Sequence, residues 1–266
     1  MPASPTTLPT APAAALPLEG KVAVITGGAS GVGLGIAREF TAAGAHAVIT
    51  DLRQDALDAA VAAIGPNCSG IVADVTRLAD MEAAYRQVTE RHGRLDVVVA
   101  NAGIGAHAPL GAITEEQFER TFDVNAKGVL FTVQPALELL PPGGAVIVIG
   151  STASIRPPRG MSLYGGSKAA VRAFVRAWIQ DVKGSGIRMN ILSPGAVDTD
   201  SLRSALAMAQ GAEQVEAAVR SMGEGNPTGR IADPRELGRA AVFLAGDAAS
   251  FVTGIELFAD GGMAQV

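Results

Sequence analysis

The sequence predicts an α/β protein, with one domain built on a doubly wound, seven-stranded parallel sheet. Beyond residue 18, short apolar runs typical of buried strands alternate with segments of helical periodicity. Hydrophobic residues make up 48% of the chain but aromatic residues only 4%. The core is therefore expected to consist of Ala, Val, Ile and Leu, as in a parallel sheet covered by helices on both faces. Ligands of such sheets bind at the carboxyl ends of the strands.

Composition and charge exclude several classes of function. The net charge of −5 and the absence of a Lys/Arg run argue against a nucleic-acid partner. The single Cys68 cannot form an internal disulfide, which fits a reducing, cytoplasmic location. The three histidines (His46, His92 and His107) are scattered, so no metal site is predicted.

The first 18 residues contain five prolines and no charged side chain, a composition that prevents a stable helix. They lack the basic region of a signal peptide and the long apolar run of a membrane anchor. We predict a disordered tail over residues 1–18, a single folded domain over residues 19–266, and no membrane association.

The folded part opens with a strand, a glycine-rich turn and a helix. The apolar run 21–26 predicts a buried strand, and a helical pattern follows the turn. The turn carries the spacing T-G-x-x-x-G-x-G on Thr26, Gly27, Gly31 and Gly33. Glycines allow the backbone to approach a pyrophosphate closely, and a helix N-terminus stabilises its charge, so this unit predicts a dinucleotide site of the Rossmann type.

The second strand, residues 46–50, ends at Asp51, 18 residues beyond Gly33. An acidic residue near this offset accepts the ribose hydroxyls of NAD and repels the 2′-phosphate of NADP. The sequence therefore favours NAD. Arg53 could instead approach a phosphate, but we interpret it as the solvated start of the next helix.

Strands and helices continue to alternate to the end of the chain. Further strands are predicted at 70–73, 95–100, 145–150, 188–192 and 256–259, and helices at about 55–64, 78–92, 200–222 and from Pro234. Thr114 and Gln117 form a capping box for a long helix that carries Asn125 and is broken by the prolines at 141–142. Residues that follow predicted strands should line one edge of the sheet: Gly27, Asp51, Asp74, Asn101, Ser151 and Pro194.

Tyr164 and Lys168 are four residues apart on the predicted helix that runs to about residue 183, and they therefore share a face. A cation beside a phenol favours the phenolate, and such a Tyr can exchange a proton with an alcohol or carbonyl oxygen. For an isolated pair of this kind, a surface Tyr and a solvated Lys would be the usual interpretation.

The context of this pair resembles the short-chain dehydrogenase/reductase family, in its single-domain branch of about 250 residues. The resemblance covers residues 19–262. It rests on the glycine turn, Asn101-Ala-Gly103, Asn125, Ser151 thirteen residues before Tyr164, Tyr164-x-x-x-Lys168 and Pro194-Gly195. The sequence departs from the common pattern at Ala100 and Thr152, where many relatives have Asn and Ser. Ser154 is the alternative to Ser151 for the serine of this pattern, but it lies ten residues before Tyr164, which is not the spacing of the family.

The resemblance implies a role for each matching residue. Tyr164 is the acid/base, Lys168 lowers its pKa and binds the nicotinamide ribose, Ser151 binds the substrate oxygen, and Asn125 holds a water that links Lys168 to solvent. The cofactor-binding set is Gly27, Ser30, Gly31, Val32, Gly33, Asp51, Asp74, Val75, Asn101, Gly103, Tyr164, Lys168, Pro194, Val197 and Thr199. The domain would thus be both dinucleotide-binding and catalytic.

The implied activity is hydride transfer between NAD(H) and a secondary alcohol or ketone. The alternatives are an NADP-dependent ketoreductase, an epimerase or dehydratase of the same superfamily, and a nonenzymatic NAD(H)-binding sensor. A sensor would not need the four catalytic residues together. The expected pocket is mostly apolar, formed by Ile104, His107, residues 152–163 and the segment after Thr199. Arg156 and Arg159 are interpreted as solvated, with an anionic substrate as the alternative.

Two apolar stripes run along the Tyr164 helix, although packing on a sheet requires only one. Ala170, Phe174, Ala177 and Trp178 form the first stripe, and Val171, Val175, Ile179 and Val182 form the second. The preceding helix shows the same excess between Val129 and Leu137. We therefore predict an isologous interface and a homotetramer, with a dimer as the fallback. The resemblance implies the same assembly.

Overall fold

A computed structural model describes residues 16–264 as a seven-stranded parallel sheet with helices on both faces, which confirms the predicted fold class. The strand order is β3-β2-β1-β4-β5-β6-β7, so the direction of winding reverses between β1 and β4. The strands are β1 Val22–Thr26, β2 His46–Asp51, β3 Cys68–Val72, β4 Val97–Ala100, β5 Ala145–Ile149, β6 Arg188–Pro194 and β7 Glu256–Ala259. The α-helices are α1 Gly31–Ala42, α2 Gln54–Ile64, α3 Leu78–His92, α4 Glu115–Phe122, α5 Gly128–Val133, α6 Ser162–Asp181, α7 Asp200–Gln210, α8 Val215–Glu224 and α9 Pro234–Ala245.

Alternation along the strands divides the core into two layers. In β1, Ala23 and Ile25 pack with helices α1, α2 and α9, whereas Val22 and Val24 pack with α3, α5 and α6. Successive side chains of a strand point to opposite faces, so a strand buried on both faces is apolar throughout. The small aliphatic composition predicted this arrangement, in which helices cover both faces of the sheet.

The folded domain begins slightly before the predicted boundary at residue 19. Leu18 is fully buried in the layer formed by α1 and α9, and its backbone N–H donates to the Ala43 carbonyl. Burial of a Leu side chain contributes roughly 1.5–3 kcal/mol, so Leu18 is part of the domain. Residues 1–15 lie outside the described residues, and their disorder stays a prediction.

Two predicted helices are interrupted. The capping box of Thr114 and Gln117 is present, but α4 ends at Phe122, and a π-helical turn, Asp123–Lys127, separates it from α5. The long helix that the sequence predicted is therefore present, but it contains this π-helical turn. The segment 200–222 is likewise two helices, because Gly211 adopts a positive φ of 97° that ends α7.

Membrane-spanning segments were sought among residues 16–264. No helix in this part of the chain is both long enough and apolar enough to cross a bilayer.

Candidate active site

The carboxyl ends of the parallel strands bring most of the predicted site residues to one edge of the sheet. Asp51 and Pro194 are the last residues of β2 and β6, and Gly27, Asn101 and Ser151 lie one or two residues beyond the ends of β1, β4 and β5. Asp74 follows β3 in the same way. The edge crosses the point between β1 and β4 where the winding reverses, which is where doubly wound sheets bind their ligands.

The glycine turn after β1 requires glycine at several positions. Gly27 and Gly31 have positive φ angles of 62° and 53°, which favour glycine. A Cβ on Gly33 would overlap the Gly27 carbonyl, so the turn also requires glycine for space. Helix α1 starts at Gly31, and the side chain of its N-cap residue Ser30 makes no capping hydrogen bond. The first-turn N–H groups are thus presented at the edge, as a pyrophosphate site requires.

Asn101 holds this turn in place. Its side-chain amide donates to the carbonyls of Thr26 and Gly27 at 2.8 and 3.1 Å, and it lies against the position of Gly33 in α1. The Thr26 hydroxyl in turn accepts the backbone N–H groups of Asn101 and Ala102, both at 3.1 Å. The Asn-Ala-Gly segment therefore fixes the shape of the glycine turn.

Two carboxylates stand beside the turn. Asp51 is half-buried, and its Oδ1 accepts the N–H of Leu52 at 2.9 Å. The exposed Arg53 pairs with Asp55 at 3.6 Å, as expected for a solvated helix start. Asp74 accepts the backbone N–H and the hydroxyl of Thr76 at 2.9 and 2.7 Å. Asp51 and Asp74 thus lie at the carboxyl ends of the neighbouring strands β2 and β3.

Val75, next to Asp74, is buried. It packs against Gly128, where a Cβ would come within 2.8 Å of its Cγ2. Gly128 directly follows the π-helical turn, so Val75 connects the end of β3 to the segment that carries Asn125.

Ser151, Tyr164 and Lys168 form one cluster at the centre of the edge. The Ser151 hydroxyl lies near enough to the Tyr164 phenol to affect its pKa as a hydrogen-bond donor, and the Ser151 oxygen accepts the N–H of Ala153 at 3.1 Å. Lys168 is only 3% exposed, and its Nζ donates to the Ile149 carbonyl at 2.8 Å. Nζ lies 5.9 Å from the centroid of the Tyr164 ring.

Burial dominates the electrostatics of this cluster. It raises the pKa of Tyr164 above the ordinary value of 10.0, and the hydrogen bond from Ser151 partly opposes the rise. Burial also lowers the pKa of Lys168 to about 8. The ammonium of Lys168 is bound to the Ile149 carbonyl rather than to the phenol, and the expectation that Lys168 lowers the Tyr164 pKa stays a prediction.

Asn125 occupies the π-helical turn and is fully buried. Its Oδ1 accepts the N–H of Ile104 at 2.8 Å, and its Nδ2 donates to the Ile104 carbonyl at 2.9 Å and to Ser167 Oγ at 3.0 Å. Single π-helical turns are often found at functional sites. Here the turn directs the Asn125 amide to the loop after β4 and to helix α6.

Ser167 and Gly103 complete the contacts around Asn125. The Ser167 hydroxyl donates to the Tyr164 carbonyl at 2.8 Å and so connects Asn125 to the first turn of α6. Sequence reasoning missed Ser167, and its position three residues after Tyr164 was the only available signal. At Gly103, a Cβ would lie 3.3 Å from Asn125 Oδ1 and 3.4 Å from Lys168 Nζ.

The segment after β6 approaches the glycine turn. Val197 pairs with Ala232 in an isolated bridge, and Thr199 caps α7 by accepting the Leu202 N–H at 3.2 Å. A Cβ on Gly31 would lie 3.4 Å from the Thr199 methyl group. Because the Thr199 oxygen is an acceptor in the cap, its hydroxyl hydrogen is available to a group bound between the two segments.

Two loops flank the Tyr164 cluster. The Ala108 N–H donates to the Gly160 carbonyl at 2.8 Å, and the His107 ring lies against Gly160. Arg156 is exposed and donates to the Met263 carbonyl at 3.1 Å, which ties this loop to the C-terminal segment. Within residues 16–264, no three His, Cys, Asp or Glu side chains are grouped as metal ligands.

Comparisons with known proteins agree with this geometry. A family model described as enoyl-(acyl carrier protein) reductase matches residues 27–264. The chain is 42% identical to oxidoreductase asL5 of Sarocladium schorii over 94% of this chain and 98% of that protein. It is 35% identical to galactitol 2-dehydrogenase of Agrobacterium fabrum over 92% of this chain and 98% of that protein. A solved 3-ketoacyl-(acyl-carrier-protein) reductase of Brucella melitensis, complexed with NADH, superposes with a TM-score of 0.83 at 29% identity, covering 93% of this chain and 99% of that chain.

Proposed function

The chain belongs to the short-chain dehydrogenase/reductase family, whose members are oxidoreductases that bind a nicotinamide cofactor, and we propose that it transfers a hydride between NAD(H) and a secondary alcohol or ketone. The observation that carries this proposal is the cluster of Ser151, Tyr164 and Lys168 beside the glycine turn. Its residues supply a proton carrier, a donor to the substrate oxygen and a buried cation at the edge where a dinucleotide fits.

Tyr164 moves the proton. In oxidation its phenolate accepts the hydroxyl proton of the alcohol, and in reduction its phenol returns a proton to the carbonyl oxygen. The Ser151 hydroxyl lies beside the phenol, so a substrate oxygen within reach of both would receive a second donor that stabilises developing negative charge. The nicotinamide, when bound, accepts or supplies the hydride.

NAD is the proposed cofactor because of Asp51. Its carboxylate stands at the end of β2, where the adenosine ribose would lie, and a 2′-phosphate there would face a negative charge. Arg53, two residues after Asp51, could favour NADP, but it pairs with Asp55 at 3.6 Å. Asn101, Thr199 and the first turn of α1 would hold the rest of the dinucleotide.

The substrate is expected to be an alicyclic, aromatic or medium-chain alcohol or ketone. Leu202 and Leu206 in α7 are half-buried and Met208 is exposed, while Ile104 borders the cluster through its bonds to Asn125. These side chains are apolar, and an apolar pocket with a few polar groups selects for such compounds. An anionic substrate would instead require Arg156 or Arg159 to turn toward the cluster.

We also propose that the protein assembles as a homotetramer. In the second stripe of α6, Val171 and Val175 are fully buried within the chain. In the first stripe, Phe174 and Trp178 are half-buried and Ala177 is exposed, so this face is available to a second copy. Phe174 and Trp178 stack with ring centroids 5.4 Å apart and form the centre of the proposed contact.

A panel of secondary alcohols and ketones with each cofactor tests the proposed reaction. We expect the absorbance of the reduced nicotinamide to change with at least one substrate class in each direction. The change should depend on the protein and be faster with NAD(H) than with NADP(H). If no member of the panel is turned over with either cofactor, the proposed activity is contradicted.

A further inference from the structure

A buried carboxylate, Glu256, contacts the segments that carry Ser151 and Tyr164. Glu256 is the first residue of strand β7, and its side chain is only 8% exposed. Buried carboxylates are costly unless hydrogen bonds and a cation offset the lost hydration. The partners of Glu256 belong to three elements that carry or support site residues, which suggests a role in positioning.

Two serine hydroxyls donate to Glu256 Oε1. Ser193 in β6 does so at 2.7 Å, and Ser154 does so at 3.3 Å. The backbone N–H of Ser154 also donates to the Ser151 carbonyl at 2.9 Å. Ser154 therefore closes the short turn that begins at Ser151, and Glu256 fixes the far end of that turn.

The Ser193 hydroxyl also packs against the backbone that leads into this turn. A Cβ on Gly150 would overlap this hydroxyl, so the backbone directly before Ser151 rests against it. Both serine contacts of Glu256 thus act on the segment that presents the Ser151 hydroxyl to Tyr164.

The other oxygen of Glu256 faces the catalytic helix. Glu256 Oε2 lies 3.6 Å from Nη1 of Arg172. Tyr164, Lys168 and Arg172 follow one another at intervals of four residues, so they share one face of α6. The ion pair fixes this face to the edge strand β7, while the Lys168 bond to Ile149 fixes it to β5.

We propose that Glu256 is a positioning residue for the hydride-transfer reaction, in that it holds the Ser151 turn and the Tyr164 helix in register through Ser154, Ser193 and Arg172. The inference depends on the proposed function, because its effect is read in turnover. Displacement of a reacting group by about 1 Å can cost roughly 10²-fold in rate. Loss of both serine contacts and the ion pair should therefore lower kcat more than it lowers cofactor affinity.

The test compares Glu256→Ala and Glu256→Gln with a matched control, Asp96→Asn. The Asp96 side chain is also 8% exposed and also accepts hydrogen bonds, from the Val22 N–H and from Arg94. It lies directly before β4, however, at the amino ends of the strands and away from the site. We expect Glu256→Ala to reduce kcat on the order of 10-fold to 10²-fold, with the Kd for NADH changed less than about threefold. Glu256→Gln keeps an acceptor for the serines and should recover most of the loss. Asp96→Asn should lower Tm without reducing kcat.

A second variant keeps the test decisive if Glu256→Ala does not fold. Ser154→Ala removes a single hydroxyl, and we expect it to reduce kcat several-fold while Ser154→Thr restores it. If the Glu256 and Ser154 variants lower Tm but keep wild-type kcat, as Asp96→Asn should, Glu256 is only structural and the inference is wrong. If the wild-type protein itself turns over no substrate, the proposed function fails rather than this inference.

Discussion

The Nζ atom of Lys168 lies 5.9 Å from the centroid of the Tyr164 ring and is hydrogen-bonded to the Ile149 carbonyl rather than to the phenol. Tyr164 itself is half-buried, and the partial loss of water around its phenol raises its pKa, with Ser151 as the group that opposes the rise. Lys168, with a pKa of about 8, is a cation whose charge depends on pH near neutrality. Proton transfer at this site is therefore expected to be strongly dependent on pH.

The oxidation rate should increase with pH. The acid/base acts as a phenolate in this direction, and because the Tyr164 pKa lies above 10.0 the rate should still be rising at pH 10. Ser151→Ala removes the hydrogen bond that lowers this pKa, so the residual rate should rise at higher pH than in the wild type. The measurement is kcat for alcohol oxidation from pH 6 to 10 with chemistry rate-limiting. A flat profile would contradict the role of Tyr164.

The cofactor preference should depend on Asp51. We expect kcat/KM to be higher with NAD than with NADP, and Asp51→Ser to reduce that preference because it removes the charge that faces a 2′-phosphate. Asp55→Asn is the control, since it leaves Asp51 intact and releases Arg53 from its pair. A tenfold preference of the wild type for NADP would overturn the assignment and give the phosphate-binding role to Arg53.

The assembly should depend on the exposed stripe of α6. Light scattering at micromolar concentration should give a tetramer, with a dimer as the fallback, and a clean monomer of 26.9 kDa would contradict the proposal. Trp178→Glu and Ala177→Glu should each dissociate the assembly. Ala177 is exposed within the chain, so its substitution leaves the core unchanged. The control is Arg176→Glu on the same helix. An assembly that survives both stripe variants does not use this face.

Stability should fall in mild acid because of the His46–His92 pair. The two rings lie 4.3 Å apart, and burial lowers the pKa of both below the ordinary 6.5. As the pH falls, the histidines of the unfolded chain therefore bind protons before those of the folded chain. The contribution of the two neutral rings to the free energy of unfolding is complete above pH 6.5 and is lost as the pH falls through and below that value. Tm should decrease between pH 7 and 5. In the double variant His46→Gln/His92→Gln this decrease should be smaller, and an unchanged slope would exclude the pair as its cause.

The sequence predicted the sheet, its binding edge and the pairing of Tyr164 with Lys168, because each depends on periodicity or local spacing. It did not predict the π-helical turn at Asn125, because the periodicity of apolar residues does not distinguish one π-helical turn from the α-helix around it. The same limit applies to Glu256 and Ser154, which are 102 residues apart in sequence and in contact only after folding. Helical spacing also predicts the direction of Lys168 but not its hydrogen-bond partner, the Ile149 carbonyl.

Replacing Tyr164 by Phe tests the central claim most directly. The chain has two tyrosines, so Tyr85→Phe is a matched control. The Tyr85 hydroxyl donates to the Thr132 carbonyl in the core, and its loss should lower Tm while leaving turnover intact. Both variants should bind NADH as the wild type does.

The decisive measurement is kcat of Tyr164→Phe with the best substrate, at a pH where the wild type is active and with NADH binding verified. General acid/base catalysis contributes roughly 10²–10⁴ in rate, so kcat should fall by that factor. A variant that retains more than about a tenth of the wild-type kcat would show that Tyr164 is not the proton carrier.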